Sequence, residues 1–275
     1  MIRNSPRRIV LTIVAVALFG AIGIIAAPAP AQDDLGRQPG ERAVESSKLP
    51  LDRDGIWTLN FRYKPIRILT LDGFDAKGNP AKQVVWYLWY QVYNRSGEPV
   101  QFVPEFELVT TDLNTNHLDE PQPFIFEQVK KYEDRTITAK NPNGILNLKS
   151  SIDISKKPIP ASLPEGFPKL VSGLAIWTDM DAPGKARKTN RFSVYITGLS
   201  NGVAVEQKKL PNDEILTLVK KKTLRIDFIR PTDETRPQIS DIQPDEASGR
   251  AETWVYRTAP QSVAAKATPM PAPKQ

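Results

Sequence analysis

The sequence predicts an all-β protein: an antiparallel β-sandwich with one short helix. Three observations carry that expectation. Apolar residues alternate with polar ones at a period of two through the middle of the chain, as strands with one buried face require. Turn sequences separate the alternating runs. Twenty-five prolines weigh against a helix-rich fold.

The elements follow in order. In IWTLNFRY, Trp57, Leu59, Phe61 and Tyr63 share one side, opposite Thr58, Asn60 and Arg62. Ile66 and Ile68 alternate with Arg67, and Asp72-Gly73 and Lys77-Gly78-Asn79-Pro80 mark turns. QVVWYLWYQVY is the strongest strand; Ser96-Gly97-Glu98-Pro99 turns the chain before Phe102, Phe106 and Leu108 alternate again. PFIFEQVKKYEDR, residues 123–135, is helical, with Ile125, Val129 and Tyr132 at helical spacing after Pro123. Phe192, Val194 and Ile196 form one further strand; Leu224, Ile226 and Phe228 form another; Trp254 and Tyr256 mark the last. Each such side chain contributes about 1.5–3 kcal/mol when buried, so a chain with no cysteine can be held by its core alone.

The ends read differently. Arg3, Arg7 and Arg8 precede an apolar run from Ile9 to Ala27 and then APAPAQ, the order of an export signal, with cleavage expected before Gln32. The run is also long enough to serve as an uncleaved anchor, which would make residues 9–27 the only membrane contact. Residues 32–50 read as a flexible leader, 51–258 as the sandwich domain and 259–275 as an Ala/Pro-rich disordered tail. Removing the three arginines leaves 37 − 3 = 34 basic residues against 31 acidic ones, too mild and too scattered a balance to imply nucleic acid. Lys220-Lys221-Lys222 reads as a solvated strand end or edge.

QVVWYLWYQVYNRSGEPVQFVPEFELVT resembles the strand–turn–strand of immunoglobulin-like domains in uncharacterised exported bacterial proteins, and GLAIWTDMD with NRFSVYITGLSNG is similar to a second such pair. The resemblance covers about a quarter of the chain. It implies an immunoglobulin-like fold, and neither an activity nor functional residues.

Four motifs invite chemistry. GLSNG, residues 198–202, matches the nucleophile-elbow pattern, but the sole histidine, His117, lies upstream and Val203 and Val205 continue as a strand. Asn201-Gly202 is therefore expected to close a hairpin with Ser200 at its tip. His117, in DLNTNHLDE, is expected in a solvated loop, since one histidine without cysteine does not build the usual zinc site. Asp179, Asp181 and Gly184 resemble the start of a calcium loop, yet Pro183 and Asn190 occupy ligand positions, so a charged loop is expected. Asp112, Asp119 and Glu120 supply carboxylates of the kind glycosidases pair, without any sign of proximity. No cofactor, metal site or catalytic residue is assigned.

The aromatic strand divides by alternation. Val84, Trp86, Leu88, Tyr90 and Val92 form the core face, opposite Val85, Tyr87, Trp89, Gln91 and Tyr93. The favoured expectation is that the 123–135 helix or a Pro-rich connection covers this second face. In the alternative, Tyr87, Trp89 and Tyr93 form an exposed strip that binds carbohydrate. The function expected overall is a non-catalytic exported structural or interaction module of the cell envelope, with an envelope protein or a polysaccharide as partner.

Overall fold

The computed structural model describes residues 37–258 except 45, 76, 121, 181–188, 210–214, 231–241 and 248. Its elements run β1 (Arg42–Val44), β2 (Asn60–Tyr63), β3 (Arg67–Phe74), β4 (Pro80–Tyr93), β5 (Glu105–Thr110), β6 (Asn116–Leu118), α1 (Pro123–Glu133) and α2 (Ser151–Ile154). They continue β7 (Val171–Trp177), β8 (Arg191–Thr197), β9 (Val203–Lys209), β10 (Ile215–Ile229), β11 (Gln243–Pro244) and β12 (Glu252–Thr258).

Two antiparallel sheets result, each built on one long strand. In the first, β4 carries β3 along Pro80–Tyr87 and β2 along Tyr90–Tyr93 on one edge, with β7 on the other; β1 pairs with β2. In the second, β10 carries β9 and β8 in succession on one edge, and β12 and β11 on the other; β8 continues to β5 and β6. The sheets share one core. Trp86, Leu88, Tyr90 and Val92 from β4 meet Phe106, Leu108, Phe192, Val194, Ile196, Leu224, Ile226 and Phe228. The period-two pattern placed these residues correctly because a pleated strand presents alternate side chains to the same side.

Connectivity corrects several local expectations. β4 and β5 lie in different sheets, as do β7 and β8, so both resembling segments are arches between sheets. β8 and β9 both run antiparallel to β10, at Leu224–Ile229 and Ile215–Lys221 respectively. GLSNG therefore joins two nearly collinear strands and closes no hairpin. Gly198 makes the kink: its φ is +92°, and a Cβ there would lie 2.2 Å from the Val103 carbonyl oxygen. Part of the stretch read as a flexible leader is β1, whose Val44 is buried; three residues are too few for alternation to register. The helix ends at Glu133, and Phe126 is buried while Tyr132 stays 39% exposed. Residues 1–31 and 259–275 lie outside the described residues. Among the described residues, no helix is long and apolar enough to cross a membrane.

Candidate functional site

The second face of β4 is where the carbohydrate strip was to lie, and the structure closes it. Tyr87, Trp89 and Tyr93 are each at most 2% exposed. Ile125, Phe126 and Val129 of α1, with Leu148, pack on Val85, Tyr87 and Trp89 and on Leu174 and Ile176 of β7. Polar groups seal the seam. The Tyr87 hydroxyl donates to Glu133 Oε1 at 2.6 Å, and Arg67 Nη1 reaches the same oxygen at 2.6 Å. Burial, then the Glu133 charge, pushes the Tyr87 hydroxyl far above its ordinary pKa. Lys64 Nζ stands 4.7 Å from the Trp89 ring centre, and the Arg62 and Arg95 guanidinium carbons lie 4.9 and 5.7 Å from that of Tyr93. A sugar ring has no access to these aromatics in this conformation. Tyr87 and Trp89 belong to a second core under α1, and Tyr93 is buried beside Arg62 and Arg95.

The other singled-out residues are engaged in holding the fold. His117 is a correction: it sits on β6, 1% exposed, with Nδ1 2.7 Å from Asp179 Oδ2 and Nε2 2.9 Å from the Thr115 hydroxyl. The polar neighbours in DLNTNHLDE suggested a loop, but β6 turns His117 inward opposite Leu108. Asp179 thus serves His117; Asp181 and Gly184 lie outside the described residues. Asp112 accepts the backbone N–H of Asn190 at 2.6 Å and the Thr189 hydroxyl, fixing the entry to β8. Asp119 Oδ1 accepts the Ile176 N–H at 2.7 Å while its own N–H donates to Phe106, so it ties β5 to β7. Burial pushes the Asp119 carboxyl up to about 6. The adjacent Glu120 gives its N–H to the Ile176 carbonyl at 2.9 Å.

Lys222 is a second correction. It is 2% exposed, donating to Asp52 Oδ2 at 2.6 Å and to the Ser47 carbonyl at 2.7 Å. The Tyr256 hydroxyl donates to Asp52 Oδ1 at 2.8 Å. Burial raises the Asp52 carboxyl, but hydrogen bonds from Lys222, the Leu49 N–H and Tyr256 outweigh it and hold the group below the ordinary range. Lys222 falls on the inward side of β10, a parity that Leu224, Ile226 and Phe228 already displayed in the sequence.

A further surface among the described residues exposes aliphatic side chains on paired strands. β9 and the first part of β10 form a two-stranded ribbon, since β12 pairs with β10 only from Lys220 onward. Val205 lies opposite Val219, Val203 opposite Lys221, and Ile215 lies four positions before Val219 on the same strand, so Val203, Val205, Val219 and Ile215 share one face. There Val203 is 43%, Val205 57%, Val219 49% and Ile215 65% exposed. On the other face Glu206 pairs with Lys220, which holds its carboxyl below the ordinary range. In the sequence Val203 and Val205 alternate like a strand and Leu224, Ile226 and Phe228 mark the later part of β10, but Ile215–Val219 is not read there as a strand. β9 and β10 are consecutive strands paired from Lys209–Ile215 to Val203–Lys221, a local pairing whose sequence signal, Pro211-Asn212-Asp213 between them, was overlooked.

The fold and this surface define a mostly β, two-sheet protein with a β9–β10 ribbon that exposes aliphatic side chains among charged ones. Comparison with family models, with curated proteins and with solved structures finds no match to this chain.

Proposed function

We propose that the chain is an exported, non-catalytic interaction module of the cell envelope, on an immunoglobulin-like sandwich whose β9–β10 ribbon meets a protein partner. The observation that carries this reading is the aliphatic face of Val203, Val205, Val219 and Ile215, four large apolar side chains exposed together. Aliphatic groups offer no ring face to a sugar, so a protein is favoured over a polysaccharide. Export rests on the basic, apolar and small-residue order of residues 1–31. The immunoglobulin-like kind is supported by connectivity: β4 pairs with β7 and β5 with β8, and each arch changes sheets. Strands B, E, C and F of immunoglobulin sandwiches are related in that way.

A photoreactive side chain at Val205 tests the interaction reading in the cell that makes the protein. Discrete protein adducts are expected there and not at Ile145, which is 77% exposed away from the ribbon. Equal adducts at both positions, or none, would remove the ribbon as the interaction surface.

A further inference from the structure

We propose that the free edge of β9 pairs antiparallel with β9 of a second copy of this chain, about a two-fold axis at Gln207. The proposal rests on reading the ribbon as the interaction surface, and it names the partner.

Among the described residues, β9 hydrogen-bonds to β10 alone. Along its other edge, backbone N–H and C=O groups face away from the sheet, the template on which a further strand adds. Charge then selects both the partner and the register. In VAVEQKK, Glu206 and Lys208 are two residues apart and share a face. A two-fold axis at Gln207 sets Glu206 opposite Lys208 of the second copy, and Lys208 opposite that copy's Glu206. Moving the axis one residue either way opposes Glu206 to itself or Lys208 to itself, and like charges directly opposite are destabilising. One register is self-complementary and its neighbours are repulsive.

The ribbon's own contacts extend across that joint. Glu206 already holds Lys220 on its β10 side, so pairing completes a Lys–Glu–Lys row over three strands. On the opposite face, exposed Val205 borders the same seam, backed on its β10 side by Val219. The contact is isologous and closes at two copies, so it does not propagate. Lysines on an edge ordinarily repel an incoming strand. Here the acid two positions before Lys208 relieves that repulsion in the one register.

The chain has no cysteine, which makes a direct test available. In the full chain, Gln207→Cys supplies the only thiol, and the axis brings the two thiols together. Directly opposed Cβ atoms lie about 4.5–5.5 Å apart, and a small backbone adjustment brings them to the ~3.5–4.5 Å of a disulfide. Mild oxidation should cross-link Gln207→Cys into a dimer about tenfold more readily than Thr217→Cys, whose β10 position stays remote from its copy. Adding Lys208→Glu to Gln207→Cys should reduce the dimer about tenfold, since both charge pairs become repulsive. Adding Glu206→Lys as well should restore it, and thermal melts of each variant report folding. Absent dimer, equal cross-linking at positions 207 and 217, or indifference to charge reversal would overturn the proposal. Photo-adducts at Val205 to a different protein, with no disulfide at 207, would keep the ribbon as interaction surface and overturn its pairing with a copy.

Discussion

The Tyr87 hydroxyl donates to Glu133 Oε1 across 2.6 Å, joining the outward face of β4 to the last residue of α1. Arg67 shares that oxygen, and the Glu133 side chain is only 4% exposed. Glu133→Ala would leave both partners unsatisfied in a covered seam, at about 2–3 kcal/mol. Tyr87→Phe should cost about 1–2 kcal/mol, because Arg67 still neutralises the carboxylate. The double variant should cost little more than Glu133→Ala alone, since the three groups act as one network. Urea unfolding of the four proteins measures this; full additivity would mean the contact carries no coupling.

Trp86 and Trp89 occupy opposite faces of β4, yet each is 1% exposed. Trp86 touches the Phe192 ring at a centroid distance of 5.4 Å in the inter-sheet core, while Trp89 lies under α1. Both Trp→Ala changes should cost about 3–5 kcal/mol in denaturant melts through lost burial and residual cavities. A neutral Trp89→Ala would mean that α1 does not cover the strand in solution.

The two tryptophans also show how much could be read in advance. Which residues of β4 share a face follows from alternation, a local property, and it held along β5, β8 and β10 as well. That Tyr87 and Trp89 are covered was the favoured expectation because 123–135 offered an amphipathic helix. What stayed illegible was which strand meets which. The Asn201-Gly202 turn looked like a hairpin because the dipeptide is the local signal for one, while β9 pairs instead with the next strand, β10, from Lys209–Ile215 onward, and β8 pairs further along that same strand, at Leu224–Ile229. His117 and Lys222 misled for a related reason. Their polar neighbours suggested solvent, whereas Asp179 and Asp52 supply partners 62 and 170 positions distant.

Asp119 should make stability depend on mild acid. Its folded pKa of about 6 lies above the ordinary ~3.9 of an unfolded aspartate. Between those values the native state binds the extra proton, so stability from this group rises as pH falls through 6 towards 4. Allowing for partial solvent screening, the gain is about 1–2 kcal/mol. Asp119→Asn mimics the protonated form and still accepts the Ile176 N–H. It should gain at pH 7 and flatten the profile; an unchanged wild-type slope would refute the assignment.

Asp52 should act in the opposite sense. Its folded pKa is depressed, so its contribution is present above the unfolded ~3.9 and is lost as pH falls through the lower folded value. Asp52→Ala would strand the buried Lys222 ammonium, at about 3–5 kcal/mol near neutral pH. The gap between wild type and variant should narrow as pH falls below the ordinary carboxylate range, through the depressed folded value. A gap that persists there would show that the carboxylate's charge is not what matters.

The kink at GLSNG makes the last expectation, and it separates a bulge in a long strand from an exposed turn. At an exposed hairpin tip, Ser200→Ala would be nearly neutral, within about 0.5 kcal/mol. In the structure Ser200 is 9% exposed; its hydroxyl donates to the Trp57 carbonyl at 2.7 Å and accepts the Gly202 N–H at 3.2 Å. Removing it orphans both, so Ser200→Ala should cost about 1–2 kcal/mol. Gly198→Ala should cost more. The new Cβ would meet the Val103 carbonyl at 2.2 Å while φ stays at +92°, a conformation that a residue with a side chain rarely adopts. Relief requires β8 to move away from the Val103–Pro104 backbone just before β5, and β8 pairs with both β5 and β10. A loss of about 3 kcal/mol or more is therefore expected for Gly198→Ala. Thermal melts in which neither variant differs from wild type would contradict the collinear path of β8 and β9 along β10.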